Sequence, residues 1–411
     1  MGRNILHCDM KNFYASVECM LNPSLKGLPV AVCGSAAERH GIVLAKNYPA
    51  KAYGVQTGEA IWQAKSKCPG LMVVEPHYDE YVKYSILARE IYSRYTDRVE
   101  PYGMDECWLD ITGCERVFGP PEKVADTIRE TVKFELGLTI SVGVSFNKIF
   151  AKLGSDLKKP DAVTLIDERT FREKIYGLPA SDLVGVGRST ERVLAGAAIK
   201  TIGDLAAADP RMLASKLGKN GLALWHFANG RDESQVALAG ESPPVKSIGH
   251  GTTTVKDMEK NSDVWPVILE LSQDVGRRLR ELGMRACGVV IHVRDSNLVC
   301  RQWQTSLNIP STSADVIAAA AYGLFKVKYD WILPVRSLTV RTVNLAPEGA
   351  AYMPGLWDDV ELADRRERLG RCIDVIRRRF GKDSVRNCIL CMPSSVPPEH
   401  AEIVMPTGMP C

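Results

Sequence analysis

Three carboxylates in two short stretches are of the type that holds divalent metal ions. Asp9 closes the apolar run 5–8, which is typical of a buried strand. Asp105 and Glu106 are adjacent and stand at the predicted turn of a hairpin over residues 98–113. Magnesium prefers oxygen ligands, and phosphoryl transfer from a nucleoside triphosphate uses two such ions about 3.5–4 Å apart. If the fold brings the two stretches together, the three side chains can support metal-assisted phosphoryl transfer; the alternative is that Asp105-Glu106 is a solvated surface pair, which is the usual role of such a dipeptide in a turn.

The hydrophobic periodicity around these stretches predicts a sheet that joins them. In chain order the predicted elements form a β-α-β-β-α-β pattern, the split βαβ or ferredoxin-like arrangement. The first strand and the hairpin are neighbours in such a sheet, so the three carboxylates can meet at one edge. Besides the hairpin, the pattern predicts strands at 4–10 and 139–145 and helices at 79–95, 124–136 and 147–157.

After Thr164 the predicted secondary structure changes. Short helices follow, and Gly185-Val186-Gly187 connects two of them. The polar segment 234–244 contains Pro243-Pro244 and is interpreted as a linker. Residues 246–346 alternate strands and helices and form a second small α+β unit. The tail from Pro347 contains an amphipathic helix whose apolar positions are Leu362, Leu369, Ile373, Ile376 and Phe380.

Composition excludes several classes of protein. The 411 residues are 45% hydrophobic and 25% charged, which is typical of a folded chain of about three or four domains. The net charge of +3 does not by itself indicate a nucleic-acid partner. The twelve cysteines are scattered, with Cys388 and Cys391 as a lone Cys-x-x-Cys pair, so we expect reduced thiols. With no secretion signal and no membrane-spanning apolar run, we expect a cytoplasmic protein without a membrane partner.

Five segments carry a resemblance to a known family. In order and spacing they are similar to the motifs of the Y-family, the lesion-bypass DNA polymerases, and the likeness continues more weakly to about Asn344. The segments are His7–Glu18, Asn47–Val55, Met104–Asp110, Ser141–Lys152 and Asp156–Pro160. The resemblance implies a template-directed DNA polymerase that adds dNTPs to a primer 3′-hydroxyl, with low fidelity and no proofreading.

The resemblance also implies the fold class, an α+β multidomain protein built like a right hand. Its expected parts are a ferredoxin-like palm, small fingers, a helical thumb with a helix-hairpin-helix, and an α+β little finger, in a bacterial cytoplasmic monomer. The implied boundaries are 1–10 and 77–166 for the palm, 11–76 for the fingers, 167–233 for the thumb, 234–246 for a linker, 247–346 for the little finger and 347–411 for a tail.

The resemblance implies roles for the residues that match the family's motif positions. Asp9, Asp105 and Glu106 are implied to be catalytic and to hold two magnesium ions, together with the main-chain carbonyl of Met10. Tyr14 is implied to be the steric gate, whose ring beneath the sugar leaves no room for a ribose 2′-hydroxyl. Phe13, next to it, is expected to bind the nucleotide as well.

Three further residues are implied to hold the triphosphate, and three others to cover the nascent base pair. Lys51 departs from the arginine usual at its position, so the bidentate fork is lost and weaker triphosphate binding is expected. The triphosphate residues are Tyr48, Lys51 and Lys159, and the residues expected on the finger surface are Val32, Ile42 and Gly58.

Contacts to primer–template DNA are expected from the thumb and the little finger. Main-chain amides at Gly185 and Gly187 can bind a phosphate, although a simple helix connector has the same residues. Four strand arginines can track phosphates, with scattered solubilising charge as the alternative; they are Arg294, Arg301, Arg336 and Arg341. In the tail, Leu356-Trp357 keeps the end of a sliding-clamp peptide but lacks its glutamine, so clamp binding is a further hypothesis.

Three other functions fit parts of the same pattern. A nucleotidyl cyclase on a palm-like sheet makes a cyclic product without a primer. A non-catalytic DNA-binding scaffold binds duplexes without metal-dependent incorporation. A template-independent transferase ignores the identity of the template base.

Overall fold

The computed structural model describes residues 2–35, 41–241 and 243–391. It divides into two compact units, of which the first comprises residues up to 34 and from 42 to 243, and the second begins at Pro244. Across the described ranges, no helix is long and apolar enough to cross a membrane.

The first unit consists of short strands and helices that agree closely with the predicted pattern. In chain order they are β1 (Ile5–Met10), α1 (Phe13–Leu21), β2 (Val30–Cys33), β3 (Val43–Lys46), α2 (Tyr48–Ala52), α3 (Ile61–Lys67), β4 (Met72–Val74), α4 (Tyr78–Tyr92), β5 (Val99–Pro101), β6 (Glu106–Asp110), α5 (Glu115–Phe118), α6 (Pro121–Leu136), β7 (Ile140–Ser145), α7 (Lys148–Leu157), β8 (Val163–Ile166), α8 (Phe171–Ile175), α9 (Arg188–Ala195), α10 (Ile202–Ala207), α11 (Pro210–Leu217) and α12 (Lys219–Ala228).

The central sheet has the strand order β5-β6-β1-β7-β8, and β1 is antiparallel to both of its neighbours. Every residue of β1 is buried, as the apolar run predicts. Its even-numbered residues pack with α4 and α6, while Ile5 packs on the opposite face with Trp108 and Ala151. The predicted split βαβ arrangement is thereby confirmed.

Helix α7 lies very close to the second face of the sheet because β7 contains a glycine. A Cβ atom at Gly143 would lie only 1.8 Å from the carbonyl oxygen of Ala151 and 2.5 Å from the amide nitrogen of Ser155. The start of α7 is fixed by Asn147, whose side chain accepts a hydrogen bond from the Phe150 amide at 2.8 Å. This close packing places the lysines of α7 above the strands that carry the carboxylates.

Two smaller cores lie outside the central sheet, one formed by residues between β1 and β5 and the other mainly by residues after β8. The strands β3-β2-β4 form a separate sheet with their own apolar cluster around Ala31, Val43 and Ala50. Helices α8 to α12 enclose another cluster, which includes Leu194 and Leu213. These parts correspond to the expected fingers and thumb, but the finer domain boundaries remain predictions.

The segment after α12 packs on the first unit, although its polar composition predicts a linker. Val236 is fully buried beside Ile5 and Trp108. The amide of Ala237 donates to Glu100 at 2.9 Å, and the amide of Ala239 donates to the Asp97 carbonyl at 2.8 Å. The expected linker 234–246 is therefore bound to the sheet over residues 234–239 and is not a free connector there.

The second unit is an antiparallel sheet in the order β11-β10-β12-β9, with two helices covering one face. The described residues of β11 alternate between half-buried and exposed, so the other face is open. Its elements are β9 (Ser247–Met258), α13 (Asn261–Glu281), β10 (Met284–Asp295), β11 (Cys300–Ser311), α14 (Ala314–Lys328), β12 (Val335–Pro347) and α15 (Val360–Phe380). This is the α+β unit predicted over 246–346.

The helix predicted in the tail is present as α15, but polar groups anchor it. Glu367 is buried and accepts hydrogen bonds from the Ser311 hydroxyl and the Thr312 amide, both at 2.8 Å. Asp374 accepts two more from Arg280, at 2.6 and 2.9 Å. The predicted apolar positions lie on another side of the helix, where Leu362, Leu369 and Phe380 are exposed.

Candidate active site

The three predicted carboxylates are brought together where β1 and β6 end side by side. Asp9 lies directly opposite Glu106 in the antiparallel register, so both side chains stand on the same face of the sheet. Asp105 immediately precedes β6, and its carbonyl oxygen accepts a hydrogen bond from the Met10 amide at 2.9 Å. The sheet therefore brings together the three carboxylates whose proximity the sequence only implied.

The electrostatics of this cluster show concentrated negative charge. Burial, together with the nearby charges of Glu106 and Asp9, raises the pKa of Asp105 to about 7. For Glu106, burial also favours the neutral form, but His7 and Lys152 more than offset it and hold the pKa at about 2. Two carboxylates with pKa values pushed this far apart are typical of functional sites.

Two lysines, one in α7 and one just after its C-terminal end, form ion pairs with two of the carboxylates. Lys152 forms an ion pair with Glu106, and its ammonium also lies 4.8 Å from the ring centre of Tyr102. Lys159 donates to Asp9 at 2.5 Å. Although burial opposes a charged amine, the carboxylates of Asp9 and Asp156 raise the pKa of Lys159, which therefore stays an ammonium.

One lysine of the cluster was missed by sequence reasoning. Lys11 is almost fully buried, and its amide donates to the Thr139 carbonyl at 3.0 Å. Burial, reinforced by the nearby charge of Lys159, lowers the pKa of the Lys11 amine to about 8. A single lysine after Met10 gives no pattern from which this placement could be predicted.

The carboxylate cluster fits hard divalent cations by its donor chemistry. Oxygen donors from two strands stand on one face, and burial together with two neighbouring carboxylates raises the pKa of Asp105, so a bound cation would favour its charged form. In the described ranges, no group of three or more His, Cys, Asp or Glu residues stands at metal-binding spacing. In this structure Asp9 pairs with the Lys159 ammonium, and Glu106 pairs with the Lys152 ammonium and the His7 imidazole.

A cavity of about 400 Å³ opens beside the carboxylates, between α1, β3 and the turn before β6. This volume is in the usual range for a small-molecule site. Its lining includes Phe13, Tyr14 and Asp105, which the sequence predicted for nucleotide binding or catalysis. It also includes Asn12 and Met104, which lie in the motifs but had no predicted role, and residues outside the motifs: Leu44, Ala45, Lys46, Thr57 and Gly103.

The expected steric gate is held on several sides. The Tyr14 ring stacks on Tyr81, with centroids 4.2 Å apart and planes 10° apart. Tyr78 meets the same ring edge-on at 5.9 Å. The Tyr14 hydroxyl donates to the sulfur of Met104 at 3.3 Å. The gate ring is therefore fixed by aromatic packing at the wall of the cavity.

Tyr48 and Lys51 are positioned by α2, whose N-terminus is capped. The Asn47 side chain accepts from the Ala50 amide at 3.1 Å and donates to the Leu28 carbonyl at 2.7 Å, which fixes the start of α2. The Lys51 ammonium lies 5.9 Å from the ring centre of Tyr48. Burial raises the pKa of Tyr48, while Lys159 opposes and Asp9 reinforces the shift, so this hydroxyl lies in the field of the carboxylate cluster.

The predicted finger surface needs one correction. Val32 lies in β2 with no exposed surface, so it is not open to a base pair in this structure. Ile42 is exposed, and Gly58 has a left-handed φ of 86° with its amide bonded to the Val43 carbonyl at 2.8 Å. Only the latter two remain available to a ligand.

The glycine turn predicted to bind phosphate joins a short 3-10 helix at Ala180–Asp182 to α9. Gly185 has a φ of 92°, a conformation that favours glycine, and Gly187 precedes the first turn of α9. Both glycines are exposed, as is Arg188. The turn therefore presents main-chain amides at a helix N-terminus.

The four predicted DNA-binding arginines do not share one surface. Strand register places Arg294 and Arg341 on the open face of the second sheet, in line with exposed residues of β11 such as Gln302 and Gln304. Arg301 pairs with Val293, so it points to the helix-covered face, where it lies 3.3 Å from Asp330. The prediction for Arg301 is thus corrected.

The remaining predicted residues are placed as follows. Arg336 stands at a register shift of β12, where its carbonyl accepts from Thr254. Leu356 and Trp357 are 97% and 98% exposed. Cys388 and Cys391 are free thiols on a 3-10 turn whose Leu390 is buried in the second core, so the turn has a packing role.

Comparison with known proteins agrees with this geometry. The model of the impB/mucB/samB family matches residues 8–156, and the model of that family's C-terminal domain matches residues 245–353. The chain is 50% identical to DNA polymerase IV of Acetivibrio thermocellus, over 95% of this chain and 98% of the relative. It is 35% identical to DNA polymerase IV of Moorella thermoacetica, over 94% and 96%.

A solved structure supports the fold separately. A Y-family DNA polymerase chimera is similar with a TM-score of 0.74 at 23% identity, over 84% of this chain and 99% of the chimera. Its α+β architecture agrees with the fold class predicted here. The chain therefore belongs to the impB/mucB/samB family, the Y-family of translesion DNA-directed DNA polymerases.

Proposed function

We propose that the chain joins a deoxynucleotide to a primer 3′-hydroxyl at the cluster of Asp9, Asp105 and Glu106. The primer oxygen forms a bond to the α-phosphorus of the dNTP, the bond to the β-phosphate oxygen breaks, and pyrophosphate leaves. The observation that carries this assignment is the register of Asp9 opposite Glu106, beside Asp105 with its raised pKa.

Two magnesium ions would be held by these carboxylates and by the Met10 carbonyl. When bound, they supply positive charge that lowers the pKa of the primer hydroxyl and neutralises the triphosphate and its leaving group. The family relationship supports a divalent metal, and the concentrated negative charge of the site supports its place.

The lysines of the cluster contribute to the same charge balance. Lys159, now on Asp9, acts electrostatically on the Tyr48 hydroxyl, and the two would act together on a triphosphate once the carboxylate has another partner. Lys51 adds a third donor from the next turn of α2. As a point charge, it binds phosphate oxygens without the planar fork of arginine.

The cavity beside Tyr14 receives the base and sugar of the incoming dNTP. Phe13 and Tyr14 line its wall, and the stacked Tyr81 prevents the gate ring from retreating. A ribose 2′-hydroxyl then meets the ring, so deoxynucleotides are preferred.

Primer–template DNA is held without reading of its sequence. The amides at Gly185 and Gly187 bind a backbone phosphate, and Arg294 and Arg341 contact phosphates from the open face of the second sheet. The exposed pair Leu356-Trp357 is a docking point for the sliding clamp. The chain works as a monomer in the bacterial cytoplasm.

The test is a primer-extension assay that compares Asp105→Asn with Asp110→Asn. Both changes replace a carboxylate near β6 by its isosteric amide, but Asp110 lies at the other end of the strand, where it accepts from the Thr112 amide. We expect Asp105→Asn to lose at least about 10³-fold in magnesium-dependent insertion, within the range that electrostatic catalysis contributes. Full activity of Asp105→Asn, or a cyclic product, or insertion that ignores the template base would refute the proposal.

A further inference from the structure

Behind the gate lies a buried carboxylate that the reaction itself does not use. Glu18, on the last turn of α1, is 3% exposed. Its carboxylate accepts a hydrogen bond from the Tyr81 hydroxyl. The Nδ1 atom of His77 lies 3.0 Å from each of its oxygens, and the His77 amide donates at 3.4 Å. His77 immediately precedes α4 and Tyr81 lies in its first turns, so both partners stand at the start of that helix.

This carboxylate is connected to the gate by both helices. Glu18 follows Tyr14 by one turn of α1, so the two side chains lie on the same side of that helix. Tyr81 donates a hydrogen bond from its hydroxyl to Glu18, and its ring stacks on the Tyr14 ring with the centroids 4.2 Å apart. The position of the gate ring is therefore tied to the position of the Tyr81 hydroxyl.

The energetics favour a geometric role for Glu18. A buried carboxylate is costly unless it is fully hydrogen-bonded, and an apolar residue at this site could join the two helices at lower cost. Burial and the hydrogen bond to Glu18 both raise the pKa of Tyr81, so its hydroxyl remains a donor. The carboxylate thus fixes the direction in which the Tyr81 hydroxyl points.

We propose that Glu18 is a positioning residue for sugar discrimination: it holds Tyr81 through its hydroxyl, and Tyr81 in turn sets the height of the Tyr14 ring beneath the nucleotide sugar. The inference rests on the proposed gate role of Tyr14. It assigns selectivity against ribonucleotides to a residue that does not contact the nucleotide.

The test measures kcat/KM for insertion of a dNTP and of the matching rNTP in variants of the full chain. Tyr81→Phe removes only the hydroxyl, and Glu18→Gln removes the charge while keeping an acceptor. One hydrogen bond to a charged group is worth about tenfold. We therefore expect the dNTP/rNTP ratio to fall about tenfold in Tyr81→Phe and less in Glu18→Gln, through faster rNTP insertion, with dNTP insertion within about threefold of the original.

The matched control is Tyr92→Phe, which removes a buried hydroxyl from the same helix. Within the described part of the chain the Tyr92 hydroxyl has no hydrogen-bond partner, so the ratio should not change. Because effects through one contact are not additive, the double variant Glu18→Gln with Tyr81→Phe should resemble Tyr81→Phe alone.

The outcomes separate this inference from the gate assignment. If Tyr14→Ala abolishes discrimination while Tyr81→Phe lowers dNTP and rNTP insertion equally, Glu18 and Tyr81 have only a structural role and the inference is overturned. If Tyr14→Ala leaves the ratio unchanged, the gate assignment itself fails, and the inference fails with it. If Glu18→Gln does not fold, the Tyr81→Phe ratio decides alone.

Discussion

Alanine at position 143 should displace α7 and move the lysines away from the carboxylates. The added Cβ would lie 1.8 Å from the Ala151 carbonyl oxygen, whereas ordinary contacts begin at 3.4 Å, so the helix must move by about 1.6 Å locally. Overpacking of this kind costs about 1–3 kcal/mol, and the upper end applies because the obstacle is backbone. At about 2–4 °C per kcal/mol, the melting temperature of the first unit should fall by roughly 6–12 °C.

Catalysis should suffer more than stability. A displacement of about 1 Å in a catalytic group costs roughly 100-fold, so Gly143→Ala should lose about that much in kcat/KM for single-nucleotide insertion. Thermal unfolding by circular dichroism checks the first effect, and insertion kinetics at a temperature where the variant is folded check the second. Gly177→Ala is the control, since a Cβ there meets no atom within 4 Å. A Gly143→Ala protein with unchanged melting temperature and activity would refute the packing argument.

Three further changes probe the triphosphate site and the second unit. Lys51→Arg supplies a planar fork and should lower KM for dNTP about threefold with little change in kcat, as measured by steady-state insertion; Lys65→Arg, on the neighbouring helix, should change neither. Glu367→Gln weakens hydrogen bonds to a buried carboxylate and should lower the unfolding free energy of the second unit by about 1–3 kcal/mol in urea titrations. Burial opposes the charged form of Asp274, but His250 and Arg277 hold its pKa well below the usual value. The stability it adds is therefore present above an unfolded pKa of about 3.9 and is lost as the pH falls further, so the deficit of Asp274→Asn should be full at pH 5 and shrink by pH 3.

Each of these expectations has a contrary result. An unchanged KM in Lys51→Arg would place that side chain away from the triphosphate. A Glu367→Gln protein as stable as the original would mean that α15 does not depend on this anchor. If the deficit of Asp274→Asn were the same at pH 3 as at pH 5, the ion pairs around Asp274 would not be the source of its low pKa.

Sequence periodicity predicted the central sheet because its strands are short, apolar and bounded by clear turns. The run before Asp9 and the helix over 147–157 were predicted within about two residues of their observed limits. The convergence of the carboxylates followed from topology alone. What the pattern could not supply was the distance between α7 and β7, which depends on a single glycine whose neighbours are distant in the chain.

Side-chain direction was harder to predict than element type. Arg301 and Arg294 lie on opposite faces because pairing register, rather than strand identity, decides the face. Val32 was assigned to a surface although its strand is buried on both sides. For α15, the periodic apolar residues suggested a packing face, but Glu367 and Asp374 form the actual anchor. Buried polar contacts of this kind leave no periodic signal in a sequence.

The pairing of Asp9 with Glu106 also limits how the gene can change in length. Alternate residues of β1 face opposite sides of the sheet, so losing or gaining one codon between Leu6 and Asp9 would turn the carboxylate into the apolar core beneath α4. A substitution at Leu6 alters one contact, whereas a one-residue deletion there would reverse every contact up to Met10. Insertions and deletions should therefore be confined to loops such as 296–299. The number of residues in β1 and β6 should stay fixed even where individual residues are substituted.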